Sequence, residues 1–172
     1  NAEPEALVPF DCALGVPAAD GTFRPLSATT KGELMLGFQG FLVVEMVVAA
    51  DADAPDKAKG AASVTLPGET PFASFAPPLR FAASSLPGAA HMSKASQVFP
   101  LLLQSNQVGF YKGRTATISV KVSGQGRVCV ATGQLLLVDE DPCVHTGKDP
   151  CCPGDACFPS ASASGKADGD WS

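Results

Sequence analysis

The run Phe41-Leu-Val-Val-Glu-Met-Val-Val-Ala49 constrains this chain more than any other stretch. Its β-branched residues disfavour a helix, where they lose rotamer freedom against the preceding turn, and suit a pleated strand. In extended form its even positions Leu42, Val44, Met46 and Val48 make one wholly apolar face. The odd positions Phe41, Val43, Glu45 and Val47 make a second, apolar except for the glutamate. Such a strand is central and covered on both sides, or it turns one face to a partner. Phe41, Val43, Glu45 and Val47 are therefore candidate partner-binding residues. Glu45 reads either as a solvent-facing strand residue or as a charge that blocks misregistered pairing or meets the partner.

Around this run the chain reads as short strands between Gly- and Pro-rich turns. Strand signals fall at residues 33–38, 63–66, 79–83, 114–122, 127–132 and 134–138. The alternation is cleanest in 114–122, where Ile118, Val120 and Val122 point one way and Thr117, Ser119 and Lys121 the other. Residues 51–60 are polar enough to predict a solvated loop, and the one plausible helical stretch, 89–103, is broken by Pro100. The pattern indicates an all-β fold: an antiparallel Greek-key sandwich of immunoglobulin-like type, with a C-terminal disulfide-stapled extension. A closed barrel is the alternative. The expected organisation is an N-terminal lead-in (1–20) anchored by Phe10 and Cys12, a sandwich domain (21–140), a Cys-rich cap (141–158) and a low-complexity tail (159–172). The tail has the composition of a disordered segment, and its Trp171 is a candidate peptide anchor.

Four of the six cysteines, Cys143, Cys151, Cys152 and Cys157, lie in the polar, Pro- and Gly-punctuated stretch 141–157. A segment so short and polar cannot fold by burying apolar surface, so covalent bridges or a metal must hold it. Zinc would use these cysteines with His145, but their spacing departs from the paired Cys-x2-4-Cys arrangement of tetrahedral sites. Bridges fit better. A bond between adjacent Cys151 and Cys152 is strained, so Cys143 is expected to take one of them and Cys157 the other, leaving Cys12 to pair with Cys129. An even, clustered cysteine set belongs to an oxidising compartment, which implies an extracellular, periplasmic or cell-surface location. A start at Asn1 without Met fits a processed chain. No apolar run reaches the roughly 18 residues expected of a membrane span.

The formal charge of −5 and singly scattered basic residues argue against nucleic acid. No nucleophile elbow, zinc-protease motif, phosphate loop, dinucleotide fingerprint or redox Cys-x-x-Cys occurs. His91 and His145 are the only histidines, and a hydrolase would need His91 to share a cleft with a carboxylate. Asp139, Glu140, Asp141, Asp149 and Asp155 invite calcium, but the alternating Asp pattern of a calcium loop is missing. Phe110, Tyr111 and Trp171 are too few for an aromatic sugar platform. The expectation is a chain that is not an enzyme and carries no cofactor or metal.

Gly37-Phe-Gln-Gly40 running into a strong strand, with Leu137-Val-Asp-Glu-Asp-Pro-Cys143 closing the domain, resembles uncharacterised exported β-sandwich domains. Those domains, often lipoproteins, belong to myxobacteria and related bacteria. The resemblance spans residues 21–143 and implies an envelope or extracellular address, with any lipid anchor lying upstream of Asn1. The expected function is thus a non-enzymatic exported structural or protein-interaction module, a subunit of a cell-envelope or extracellular assembly that binds a protein partner or itself. The alternative is a glycan- or calcium-binding module using loops at one end of the sandwich.

Overall fold

The structure, a computed structural model, describes residues 6–18, 23–37, 40–74, 76–84 and 91–140. The cap at 141–158 and the tail at 159–172, with Cys143, Cys151, Cys152, Cys157 and Trp171, lie outside the described residues, as does Phe38. The two-faced apolar run forms β6 (Leu42–Ala50), and it is central, as its composition demands. Along one side β6 pairs with β2 (Cys12–Pro17) and β5 (Met35–Leu36); along the other it pairs with β10 (Lys94–Ser96) and β11 (Phe99–Leu102). All four pairings are antiparallel. β3 (Phe23–Pro25) extends this layer beyond β2, and β9 (Leu79–Ala83) extends it beyond β10.

The second layer is built on the hairpin of β12 (Thr115–Gly124) and β13 (Arg127–Val138). Its two-residue turn, Gln125–Gly126, has positive φ at both positions (51° and 75°), the mirror-image geometry whose twist suits a hairpin. β12 also pairs with β7 (Lys57–Thr65), and β7 with β8 (Phe72–Ser74). The free side of β13 takes β1 (Val8–Pro9) at one end and β4 (Lys31–Glu33) at the other, both parallel. The sheet is therefore mixed, not purely antiparallel as the sequence led us to expect. The N-terminal chain crosses between layers on its way through β1, β2, β3 and β4, and each time it reaches β13 it runs in the same direction. A short pairing of β7 with β9 joins the two layers into one continuous sheet path.

Residues from both layers meet in one core. Leu42, Val44, Met46 and Val48 of β6 belong to the same buried cluster as Ile118, Val120 and Val122 of β12 and Leu135 and Leu137 of β13. This is the packing of a β-sandwich. Cys12 of β2 is bonded to Cys129 of β13 across the layers, with Cα atoms 6.2 Å apart, as expected from the cysteine count. The bridge joins residues 117 apart in sequence, so it removes much of the freedom of the unfolded chain and contributes about 3–5 kcal/mol in the chain-entropy model.

Three local expectations are corrected. Residues 57–60 are the first half of β7 rather than loop; Ala58 is buried and Lys57 and Lys59 point out, a period-two pattern disguised by a small side chain. The stretch 89–103 is not helical where it is described: Lys94–Ser96 and Phe99–Leu102 are strands, with Phe99, Leu101 and Leu103 turned into the core. The described helix, α1 (Val108–Tyr111), follows later. Finally, 127–132 and 134–138 are one strand running through Gly133. A Cβ at that position would lie 2.6 Å from Leu26 Cβ, so the glycine lets Leu26 close the sandwich edge.

Candidate interaction surface

The second face of β6 is covered by the chain itself. Val47 and Ala49 are buried in a small cluster with Phe23 of β3, packed on by Ala13, Met92 and Ala95. Val43 is also buried, and a Cβ on Gly37 would lie 2.6 Å from its side chain. Of the residues the sequence nominates on this face, only Phe41 and Glu45 remain exposed, at the end and in the middle of the strand. Glu45 stands opposite Pro100 of β11, a residue with no N–H to give.

A different surface stands out by its charge. The chain holds 17 acidic residues against 12 basic ones, yet β7, β12 and β13 contain no carboxylate at all. Their outward positions carry Lys57, Lys59 and Lys121, all exposed and none in an ion pair with a described residue. Register places Lys121 opposite Ala61 and Lys59 opposite Ser123, so the two lysines are diagonal neighbours on adjacent strands. The fourth cation of these strands, Arg127, is engaged: it donates to the Asp53 carbonyl at 2.6 Å and lies 3.7 Å from the Asp53 carboxylate. Most other outward positions are small or hydroxylic, apart from Val128, Val130, Gln134 and Leu136 of β13. Thr132 donates to Ser119 at 3.0 Å, and Val130, opposite Lys121, is 61 % exposed. At the turn end, Leu7, Lys57, Lys59 and Ser123 line an open groove of about 490 Å³.

This surface ends at an open lane along β13. Main-chain bonds on its free side involve Gly126 and Val128, which accept from Val8 and Phe10, and Leu136, which donates to Thr30. Val138 on the same side accepts from Leu34. By the alternation of the strand, Val130, Thr132 and Gln134 point their N–H and C=O groups into the same lane. Among the described residues no strand occupies it there, because β1 covers only residues 127–128 and β4 only 136–138.

His91 is exposed with φ 67°, two residues before Ser93, whose N–H donates to the Ala50 carbonyl at 3.0 Å. Among the described residues no three His, Cys, Asp or Glu side chains gather as a metal site. Glu140 is held by Lys31 at 3.0 Å, and the loop after β6 is pinned by its own contacts, Lys94 donating to the Ala54 carbonyl at 2.7 Å and facing Asp56 at 3.7 Å. Tyr111, the buried last residue of α1, accepts a hydrogen bond from the Ser105 N–H at 2.8 Å. Burial pushes its phenol above the ordinary value, against the opposing effect of hydrogen bonds with the Ser105 and Gln104 backbone. No described helix is long and apolar enough to cross a membrane.

Lys57, Lys59 and Lys121 were missed by a reading based on clusters in sequence. The signal that finds them is the absence of acid from three separate strands, which becomes one surface only once β7, β12 and β13 are known to be neighbours. No family model, no curated protein and no solved structure matches this chain.

Proposed function

We propose that the chain is a non-enzymatic exported module that binds another protein through the outer face of β7, β12 and β13, as a structural or interaction subunit of a cell-envelope or extracellular assembly. The observation that carries this reading is the carboxylate-free face with three lysines that no described residue pairs, on a chain of net charge −5. Such asymmetry steers a negatively charged partner and fixes its orientation more than it adds raw affinity. The disulfide across the layers supports an oxidising compartment, in keeping with the resemblance to exported envelope domains.

The strand order supports the immunoglobulin-like Greek key as the finer description. β2, β6, β10 and β9 are neighbours in one layer and β8, β7, β12 and β13 in the other. Tyr111, just before β12, bonds back to the chain upstream, in the manner of the tyrosine corner of such sandwiches.

The test compares the full chain with a Lys59→Glu/Lys121→Glu variant, both immobilised and exposed to envelope and secreted fractions of the source cells. A single protein retained by the first, eluted by salt and not retained by the second, is the expected result; equal retention removes the reading. The groove beside Leu7 favours a second reading, a glycan-binding module, and a melting shift with oligosaccharide would replace the first with it.

A further inference from the structure

The lane beside β13 specifies a partner more narrowly than the lysine face does. We propose that it takes one short extended segment of a partner protein as an added strand: proline-free, small at its inward positions and acidic at the end that emerges beside β1. This rests on the interaction-module reading and names the mode of binding and the chemistry of the occupant.

Main-chain addition needs a row of unpaired donors and acceptors, and among the described residues Val130, Thr132 and Gln134 supply it over about 16 Å of strand. β1 and β4 plug the same lane at both ends. A second copy offering its own twelve-residue β13 would collide with both plugs. The opening therefore admits about five residues and excludes self-pairing of this edge. The added strand runs in the direction of β1 and β4, which already set a parallel arrangement against β13. Its residues beside Ala131 and Gly133 face inward, where Ala131 is buried and Leu26 packs over Gly133, so only small side chains fit. Its residues beside Val130, Thr132 and Gln134 face outward, next to an exposed valine and two polar side chains. At the β1 end the segment must leave the lane, and the outer face there presents Lys121 and Lys59. Carboxylates at that end meet cations that no described residue neutralises.

The test uses the full chain, isotope-labelled, and a synthetic peptide Asp-Asp-Val-Ala-Thr-Ala-Ser blocked at both ends. Its control carries proline in place of both alanines, which removes the two N–H groups that face β13. Expected are slowed solvent exchange and shifted signals at the Val130, Thr132 and Gln134 amides, no response to the control, and affinity about tenfold weaker for Lys59→Glu/Lys121→Glu. Absence of those shifts overturns the proposal, as does an equal response to the proline control. Protection of the three amides before any peptide is added also overturns it, because the lane is then filled by the chain's own residues. Peptide shifts confined to the outer face, with the lane unmoved, sink the added strand while leaving the interaction module standing.

Discussion

Phe23 occupies the space that Gly15 leaves empty: a Cβ on Gly15 would lie 2.6 Å from two carbons of the Phe23 ring and 2.5 Å from the Arg24 carbonyl oxygen. The contact closes the hairpin of β2 and β3 over the outer face of β6 and buries Val47 and Ala49 there. The glycine, in a strand interior where glycine is ordinarily a weakness, is here the condition for covering a second apolar face.

Phe23→Ala is expected to cost about 3–5 kcal/mol, because a ring 3 % exposed is removed and a cavity is left above Val47. Gly15→Ala should be similarly harmful by the opposite route, overpacking. Urea denaturation of both variants checks this. A loss below about 1 kcal/mol for Phe23→Ala would mean that the outer cluster contributes little.

Replacing Cys12 and Cys129 together by alanine should lower stability by about 3–5 kcal/mol. Midpoints of denaturation for the variant and for wild type, with and without reductant, measure it. Reduced wild type should fall to the level of the variant, and alkylation with mass analysis should find no free thiol in the oxidised chain, the four cap cysteines included.

Tyr111 gives a pH signature. Its phenol is raised from 10.0 in the folded chain by burial, so the folded state keeps its proton after the unfolded state has lost one. The resulting contribution to stability is complete below the unfolded value and disappears as pH rises through the folded value. Stability of wild type should therefore fall more steeply above pH 10 than that of Tyr111→Phe. At neutral pH the variant should lose about 1–3 kcal/mol, since the Ser105 N–H is left without its acceptor. The chain has a single tyrosine, so its absorbance titration reports this group alone.

Gln125→Asn should stabilise the β12–β13 hairpin by a few tenths to about 1 kcal/mol. Gln125 sits at φ 51°, where asparagine is better tolerated, and the pair becomes Asn-Gly, a favoured sequence for this turn. Thermal melting reads the gain directly, and an unchanged midpoint would show that the turn geometry carries no strain worth relieving.

Hydrophobic alternation made β6 and β12 legible, because Val44, Met46, Ile118 and Val120 are large enough to mark a face. It failed in the first half of β7, whose inward Ala58 and Ala62 leave almost no apolar signal against Lys57 and Lys59. The bond between Cys12 and Cys129 followed from counting cysteines, since the clustered four could satisfy one another. The parallel placement of β1 and β4 had no such handle. Two- and three-residue strands carry no periodicity, and their direction depends on where the chain happens to cross between layers. The lysine face was hidden for a related reason: Lys59, Lys121 and Val130 come from distant stretches, and only the register of β7, β12 and β13 makes them neighbours. Val43 and Val47 show the converse limit, since an apolar second face announces a need for cover without naming what supplies it.

Cys129 stands next to the last β13 residue that β1 covers, and Cys12 lies three residues after Pro9. The wall at that end of the lane is thus fastened by a covalent bond a few residues away. A hydrogen-bonded plug of two residues would fray; a tethered one holds the opening to a fixed gauge. The same sulfur bond that lowers the entropy of the unfolded chain also fastens one wall of the lane left open on β13 among the described residues, so that the proposed strand addition would depend on the oxidation state of the protein.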